Sequence, residues 1–208
     1  MASTVSLPTL SDVIASEPDP SSAAARALAI LFESSPILYS DLLPAFITAL
    51  RSHTQDGTSS RLTYNALIDI AVDVLLAWPP AHQALFVGGH PRIGEVGGLS
   101  ALSAREQAAR ATPPKVLARL GVLNAAYEAR YPGLRYITFV NGRSRTEIMV
   151  EMQEKLGVGD GDIDVVAVEP LSAEGTEWRA EALRAIADVG KIAKSRLGSL
   201  GVDGGALP

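Results

Sequence analysis

The sequence predicts an all-α, single-domain fold, and its composition is the first reason. Hydrophobic residues make up 47% of the 208 residues but aromatic residues only 5%. Alanine and leucine, both strong helix formers, dominate the apolar set, whereas the β-branched and aromatic clusters that favour strands are scarce. We therefore expect a bundle of about eight helices over residues 21–200, preceded by a loosely ordered N-terminal arm at residues 1–20.

Apolar periodicity is the second reason, and residues 62–77 show it best. Leu62, Ala66, Ile70 and Val74 recur at helical spacing and form one apolar stripe. The other predicted helices cover residues 23–32, 40–51, 113–130, 144–156 and 173–197, and one more begins at residue 103. Within the N-terminal arm, residues 10–15 are expected to form a single helical turn.

Proline and capping residues define where these helices begin and end. Pro79 ends the helix over residues 62–77, because proline disfavours helical geometry in the residue before it. Ser144-x-x-Glu147 has the pattern of a capping box and begins a helix. Residues 81–86 are expected to form only a short turn. Residues 136–140 are β-branched and aromatic, so we expect one short extended segment near 135–140.

Charge and targeting signals exclude several classes of protein. A formal charge of -5 offers no basic stripe for nucleic acid, and the chain contains no cysteine for a disulfide, a thiolate metal site or a nucleophile. No apolar run approaches the ~18 to 20 residues of a membrane span. The start has no secretion signal, and Gly205-Ala206-Leu207-Pro208 is not a Ser-Lys-Leu address. We expect a cytoplasmic or peroxisomal protein.

Familiar catalytic and metal-binding motifs do not fit. No zinc-ligand spacing of histidines occurs, and His53 and His82 lie in polar, surface-type segments. Residues 160–171 faintly resemble a calcium loop, but Val165 stands where that loop needs glycine. Ser100 lacks the closing glycine of a nucleophile elbow. We therefore expect no metal and no cofactor.

His90 is the strongest candidate for chemistry. Glycines at 88, 89 and 94 allow tight backbone shapes around it, and Pro91 restricts the backbone of the residue before it. This pattern indicates rigid presentation of one imidazole from a loop. From these residues alone, a surface or capping histidine remains an equal alternative.

Glu106 also has two interpretations. Ser103-x-x-Glu106 matches a capping box, in which helix amides would occupy both side chains. The same helix start would provide free amides and a favourable dipole for an anion. On this pattern alone, capping is favoured over catalysis, although the two roles are compatible.

A set of motifs in a fixed order resembles the family of 2-oxo-4-hydroxy-4-carboxy-5-ureidoimidazoline (OHCU) decarboxylases. The resemblance covers roughly residues 30–198. Its motifs are Phe32-Glu33-Ser34-Ser35-Pro36, His90-Pro91-Arg92-Ile93-Gly94, Leu102-Ser103-Ala104-Arg105-Glu106-Gln107-Ala108, Leu123-Asn124-Ala125-Ala126-Tyr127-Glu128-Ala129-Arg130, Val140-Asn141-Gly142-Arg143-Ser144-Arg145-Thr146-Glu147-Ile148 and Ile192-Ala193-Lys194-Ser195-Arg196-Leu197.

The resemblance implies an all-helical, homodimeric enzyme that forms (S)-allantoin in urate degradation, with a small-molecule substrate and no cofactor. It implies that His90 is the proton donor. We expect Glu106 to hold His90 or to hydrogen-bond the ureido and hydroxyl groups of the substrate. Arg196 would face a substrate carboxylate or carbonyl. The other residues implied to contact substrate are Pro91, Ser103, Ala104, Arg105, Glu106, Gln107, Tyr136, Ile137, Thr138, Phe139 and Val140.

Two departures and two rival functions stand beside this resemblance. Residues 132–136 contain one residue more than the family pattern, which leaves the register of residues 136–140 uncertain by one, and residues 157–175 form a longer insertion. A non-catalytic helical ligand-binding module is the main rival, but the joint presence of His90, Glu106 and Arg196 favours an enzyme. A transthyretin-like hydrolase would need a β-rich chain.

Overall fold

The computed structural model describes residues 5–55, 62–95, 97, 100, 102, 104 and 112–202, and the all-α prediction is confirmed there. Named helices within these residues are α1 (Leu10–Ile14), α2 (Ala23–Phe32), α3 (Leu43–His53), α4 (Tyr64–Leu76), α5 (Pro80–Gly88), α6 (Pro114–Arg130), α7 (Arg145–Leu156) and α8 (Thr176–Ser199). A π-helical turn at Leu38–Leu42 leads into α3, and a 3₁₀ turn lies at Val165–Ala167.

Helix α8 is the longest element, with 24 residues, and packs against α2, α4 and α5. It packs closely against α4 at Gly190, where an added Cβ would lie 2.8 Å from Cγ2 of Val72. A valine side chain is too stiff to move away cheaply. The two helices can therefore approach this closely only because residue 190 is glycine.

The core lies between α8 and the surrounding helices. Trp178 of α8 is 1% exposed, and its indole N–H donates to the carbonyl of Pro132 at 3.1 Å. Full burial of a large apolar side chain contributes about 1.5 to 3 kcal/mol. The other largest buried side chains are Phe32, Leu38, Leu42, Leu43, Phe46, Leu50, Ile68, Leu75, Phe86, Leu120 and Tyr127.

The N-terminal residues contact this core through α1. Val13 is 1% exposed, and the hydroxyl of Tyr64 donates to the carbonyl of Pro8 at 2.6 Å. Ser16 accepts a hydrogen bond from the backbone N–H of Ala24 at 3.0 Å. The described part of the expected arm, from residue 5 onward, thus has defined contacts with α2 and α4. The domain boundary at residue 20 stays a prediction.

Helix α5 corrects the expectation of a short turn at residues 81–86. It spans nine residues, because Pro80 at its first turn is already set to helical geometry and does not need its missing N–H. Gln83 donates to the carbonyls of Leu75 and Leu76 at 3.1 and 3.2 Å, which joins α5 to the end of α4. The sequence prediction missed this link because it crosses two prolines.

The capping box before α7 matches its prediction. The N–H of Ser144 donates to Glu147 at 2.6 Å, and the N–H of Glu147 donates to the Ser144 hydroxyl at 3.2 Å. Residues 134–140, which precede this helix, form no strand and no helix in the structure. The expected extended segment is therefore a connection between α6 and α7.

The inserted residues 157–175 pack against α6 and α7. Arg119 donates to the carbonyls of Gly159 and Gly161. The N–H of Leu171 donates to the carbonyl of Arg130 at 2.8 Å. These contacts bind both ends of the insertion to the end of α6 and to its exposed side.

A buried polar network, here named the Glu181–Asp188 cluster, joins α6, α7 and α8. Glu181 is 4% exposed and accepts from Tyr127 at 2.7 Å, from Arg184 at 2.7 Å and from Lys155 at 2.6 Å. Asp188 accepts from Arg184 at 3.0 Å. Its other donors are Lys191 and the backbone N–H of Phe139.

Candidate active site

A cavity of about 420 Å³ opens between the ends of α2, α5, α7 and α8. His90 lies at one side of it, directly after α5, and Arg196 of α8 lies on another. Leu31 and Ile192 belong to its apolar lining. The arginines of its described wall are Arg92, Arg143, Arg145 and Arg196.

The end of α5 places His90. After Gly88, the N–H groups of Gly89 and His90 donate to the carbonyls of Phe86 and Val87, both at 3.1 Å, so the chain stays tightly wound up to the imidazole. The ring is edge-on to the Phe86 ring, with centroids 4.9 Å apart. Its Nδ1 lies 3.0 Å from the Phe86 carbonyl oxygen, which can only accept, so Nδ1 carries the proton.

The remaining ring nitrogen of His90 is the chemically available atom. Nε2 is buried and has no hydrogen-bond partner among the residues that the structure describes. The pKa of His90 is lowered to about 4, mainly by burial and with a contribution from the charges of Arg196 and Arg135, while the Phe86 carbonyl and Glu33 act in the opposite direction. His90 is therefore neutral at pH 7, with a lone pair on Nε2.

Arg196 is held by a carboxylate that the sequence did not single out. Its Nη2 lies 2.6 Å from Oε1 of Glu33, and Nη1 donates to the carbonyls of Ile30 and Leu31 at 3.2 and 3.1 Å. The two side chains are only 4% and 10% exposed. Ser100 also donates to Oε1 of Glu33, at 2.9 Å. We call this ion pair the Glu33–Arg196 pair.

Glu33 occupies an unusual backbone position. It ends α2 with φ 67° and ψ 142°, a conformation that residues other than glycine rarely adopt. Such strain costs about 1 to 3 kcal/mol and tends to persist where function requires the side chain. Its only trace in the sequence was its place in the Phe32–Pro36 motif, to which no role was attached.

Residues 136–140 pass along the cavity but do not all face it. Tyr136, Ile137, Thr138 and Val140 are in its lining, whereas Phe139 is in the lining of a separate pocket behind the segment. The N–H of Phe139 donates to Asp188 at 3.3 Å. This amide is therefore already engaged with the Glu181–Asp188 cluster.

Arg143 holds the same segment from its far end. It donates to Thr138 at 2.9 Å, to the Val140 carbonyl at 3.0 Å, and to the Phe139 carbonyl and Glu151. These bonds fix the carbonyl groups of the segment. Among the described residues, none accepts a hydrogen bond from the backbone N–H of Thr138 or of Val140.

Arg135, the residue before this segment, contacts the His90 loop. Its guanidinium donates to the backbone carbonyl of His90. Close packing supports the contact, since a Cβ on Gly88 would lie 3.1 Å from the Gly133 carbonyl oxygen. The stretch that departs from the family pattern thus lies directly against the candidate catalytic loop.

The remaining predicted site residues differ in how far they can be placed. Pro91 lines the cavity. Ala104 is half-buried, and its N–H donates to the Ser100 carbonyl at 2.8 Å. Four residues lie outside the described part of the chain: Ser103, Arg105, Glu106 and Gln107.

Two further properties concern only the described residues. They contain no group of three or more His, Asp or Glu side chains arranged to hold a metal ion. No helix among them combines the length and apolar character that crossing a bilayer requires.

Comparison with known families gives one match. The model of a family described as OHCU decarboxylase matches residues 19–198, which is most of the chain and includes every described residue of the cavity wall. No curated protein matches the sequence.

Proposed function

The chain belongs to the OHCU decarboxylase family, and from this premise we propose that it converts 2-oxo-4-hydroxy-4-carboxy-5-ureidoimidazoline to (S)-allantoin without a cofactor. Membership itself assigns a general decarboxylase role in urate degradation. The observation that carries the finer proposal is His90, a neutral, buried imidazole in an arginine-lined cavity, with a lone pair on Nε2.

The substrate can hold the electrons that decarboxylation releases. When the bond from C4 to the carboxylate breaks, its electron pair forms a double bond between C4 and C5. The former imine bond at C5 moves its electrons to the ring nitrogen, which takes up one proton from solvent. The resulting enol becomes allantoin when the C4 hydroxyl loses its proton and C5 gains one. Only proton transfer and orientation are then required of the protein.

His90 is suited to move that proton. Because Nε2 is unprotonated and carries a lone pair, it can accept the C4 hydroxyl proton and return a proton to C5. This makes His90 the proton donor of the last step, as the sequence resemblance implies, after a first step in which it is a base. A positioned acid–base group of this kind contributes about 10²- to 10⁴-fold to rate.

The arginines of the cavity wall suit an anionic substrate. We propose that Arg196 faces the substrate carboxylate or a ring carbonyl, since its side chain is almost fully buried in the wall that also carries His90. Arg145 lies on the same cavity wall, at the first turn of α7. Guanidinium groups recognise planar carboxylates through paired hydrogen bonds.

Backbone amides of residues 136–140 would bind the ring oxygens. In an extended chain, successive N–H groups point to opposite sides. Because the N–H of Phe139 donates to Asp188 behind the segment, those of Thr138 and Val140 are the ones we propose for the substrate. Preorganised donors of this kind commonly contribute about 3 to 4 kcal/mol each.

Glu106 keeps the two roles that its sequence pattern allows. We propose that it orients His90 or hydrogen-bonds the ureido and hydroxyl groups of the substrate. Glu106→Gln preserves a capping hydrogen bond but removes the carboxylate. Near-normal activity in that variant would support the capping role.

The decisive experiment is the His90→Asn variant. We expect conversion no faster than the spontaneous reaction, followed by the circular dichroism of the forming (S)-allantoin. His82→Asn is the matched control, since His82 has an exposed side chain on the outer part of α5. Unchanged turnover in a folded His90→Asn protein would contradict the assignment of His90.

The homodimer that the resemblance implies is also a proposal. Light scattering of the purified protein in solution would test it directly. A mass equal to one chain at all concentrations would contradict it.

A further inference from the structure

Glu33 is the one acidic residue of the described cavity wall, and the mechanism above gives it no role. Its carboxylate accepts from Arg196 at 2.6 Å and from Ser100 at 2.9 Å. It also exerts an electrostatic effect on His90 that opposes the effect of burial. Two groups of the cavity wall, Arg196 and His90, therefore interact with one carboxylate.

Stability does not explain why a carboxylate stands at this position. A buried ion pair is often no more stabilising than apolar side chains of similar volume, because both charges lose their hydration. The backbone at φ 67° adds a cost that glycine would avoid. Two separate costs at one residue point to a requirement for its charge.

We propose that Glu33 is a positioning residue that fixes Arg196 in the cavity and supplies the counter-charge for the protonated form of His90 during turnover. This inference rests on the proposed function, in which Nε2 of His90 holds the hydroxyl proton before giving it to C5. The carboxylate makes no contact with the reacting atoms in this scheme. It acts through Arg196 and His90.

The charges around His90 support this role. Among the described residues, the groups that act on the imidazole are the Phe86 carbonyl from α5, Glu33 from the end of α2, Arg196 from α8 and Arg135 from the loop after α6. Among them Glu33 is the acidic side chain, and both arginines disfavour a positive imidazole. Within the described part of the chain, loss of Glu33 would leave protonated His90 with two cations and no acidic side chain acting on it.

The test is Glu33→Gln, which keeps the size of the side chain and its ability to accept from Arg196. We expect kcat to fall by at least about tenfold, because the imidazolium loses its counter-charge. KM should change little, because the glutamine still accepts from Arg196 and keeps it in place. A simple loss of structure would instead raise KM or leave little folded protein.

A second readout is independent of turnover. The NMR titration of His90, assigned by the signal lost in His90→Asn, should show a lower midpoint in Glu33→Gln than in the wild type. Glu181→Gln is the matched control, since it removes another buried carboxylate paired with an arginine, outside the cavity. It should leave the His90 midpoint unchanged.

The Glu33→Asp variant tests whether the effects on kcat and on the His90 titration depend on the position of the carboxylate. Aspartate keeps the negative charge, but its side chain is one methylene shorter, so the charge lies farther from Arg196 and His90. We therefore expect kcat and the His90 midpoint to lie between those of the wild type and Glu33→Gln. If Glu33→Gln does not fold, the Asp variant decides alone. An unchanged His90 midpoint together with an unchanged kcat overturns the role of Glu33, and it leaves the decarboxylase assignment intact. Inactivity of the wild type towards the ureidoimidazoline would instead overturn the proposed function.

Discussion

Helix α8 contributes to two groups of arginine and carboxylate side chains. The Glu181–Asp188 cluster lies outside the cavity, whereas the Glu33–Arg196 pair, completed by Glu33 from the end of α2, lines it. In the Glu181–Asp188 cluster, each carboxylate accepts from several donors, and both Lys155 and Lys191 back up Arg184. Beside the Glu33–Arg196 pair, Nε2 of His90 has no partner in the described part of the chain. The side chains of the cluster hydrogen-bond to one another, whereas the Glu33–Arg196 pair lies beside a ring nitrogen of His90 that is available to a ligand.

The Glu181–Asp188 cluster has the contacts of a structural network, whereas the Glu33–Arg196 pair adjoins the candidate catalytic residue. A cluster with redundant donors tolerates the loss of one, because the others still neutralise its carboxylates. The Glu33–Arg196 pair is almost fully buried, so breaking it leaves a charge that water cannot easily solvate. The following predictions rest on that difference and proceed from the largest expected effect to the smallest.

Arg196→Met should destabilise the fold far more than Arg184→Met. The first change leaves Glu33 buried without its cation, at a cost of about 3 to 5 kcal/mol. The second should cost only about 1 to 2 kcal/mol, because Lys155 still neutralises Glu181 and Lys191 still neutralises Asp188. Urea unfolding of both variants measures the difference. Equal losses would remove the distinction between the two groups.

Stability should depend on pH through His90. Its folded pKa of about 4 is below the ordinary value of 6.5, so the unfolded chain takes up a proton first as pH falls. Stability is therefore fully present above about pH 6.5 and declines towards pH 4, by about 3 kcal/mol in total. His90→Asn should lose less over this range, as measured by urea unfolding at both pH values, with His82→Asn as the control. The same loss in wild type and His90→Asn would contradict the neutral, buried state of His90.

Removing both members of the Glu33–Arg196 pair should restore much of what Arg196→Met loses. In Glu33→Gly with Arg196→Met, no unpaired charge remains, and glycine relieves the strain at φ 67°. We expect stability within about 2 kcal/mol of the wild type, but no turnover. A double-mutant cycle of unfolding free energies provides the measurement. Additive losses would mean that the pair is not coupled.

Arg135→Met should have the smallest effect. Loss of this cation beside the His90 carbonyl should raise the pKa of His90 slightly, since Arg135 disfavours the protonated imidazole. The NMR titration of His90 measures it, and Arg179→Met is the control because Arg179 lies on an exposed face of α8 and pairs with Glu174. An identical shift in both variants would assign it to net charge alone.

Local patterns were sufficient to predict most helices. Residues 62–77 and the Ser144 capping box depend on contacts within a few residues, which sequence spacing records directly. The prediction of only a turn at residues 81–86 was wrong, because the contacts of Gln83 that support α5 reach back to α4 across Pro79 and Pro80.

For the candidate site, local chemistry singled out His90 as a candidate, whereas Arg196 was predicted through the family resemblance. Glycines and a proline mark out His90, and the structure places it beside Arg196 in one cavity. Glu33 was missed because its partner is 163 residues away and a lone glutamate after a helix has no distinctive spacing. The engagement of the Phe139 amide by Asp188 depends on backbone orientation, which side-chain identity does not encode.

Gly190 is a point of close contact between α8 and α4. At this residue the helix touches Val72 so closely that an added methyl group would have to separate α4 from α8. Asp188 lies just before Gly190 in α8, and Arg196 lies after it in the same helix. A small rotation there would move the anchor of Phe139 and the guanidinium of Arg196 together. The positions of Asp188 and Arg196 relative to α4 thus depend on the absence of a side chain at residue 190.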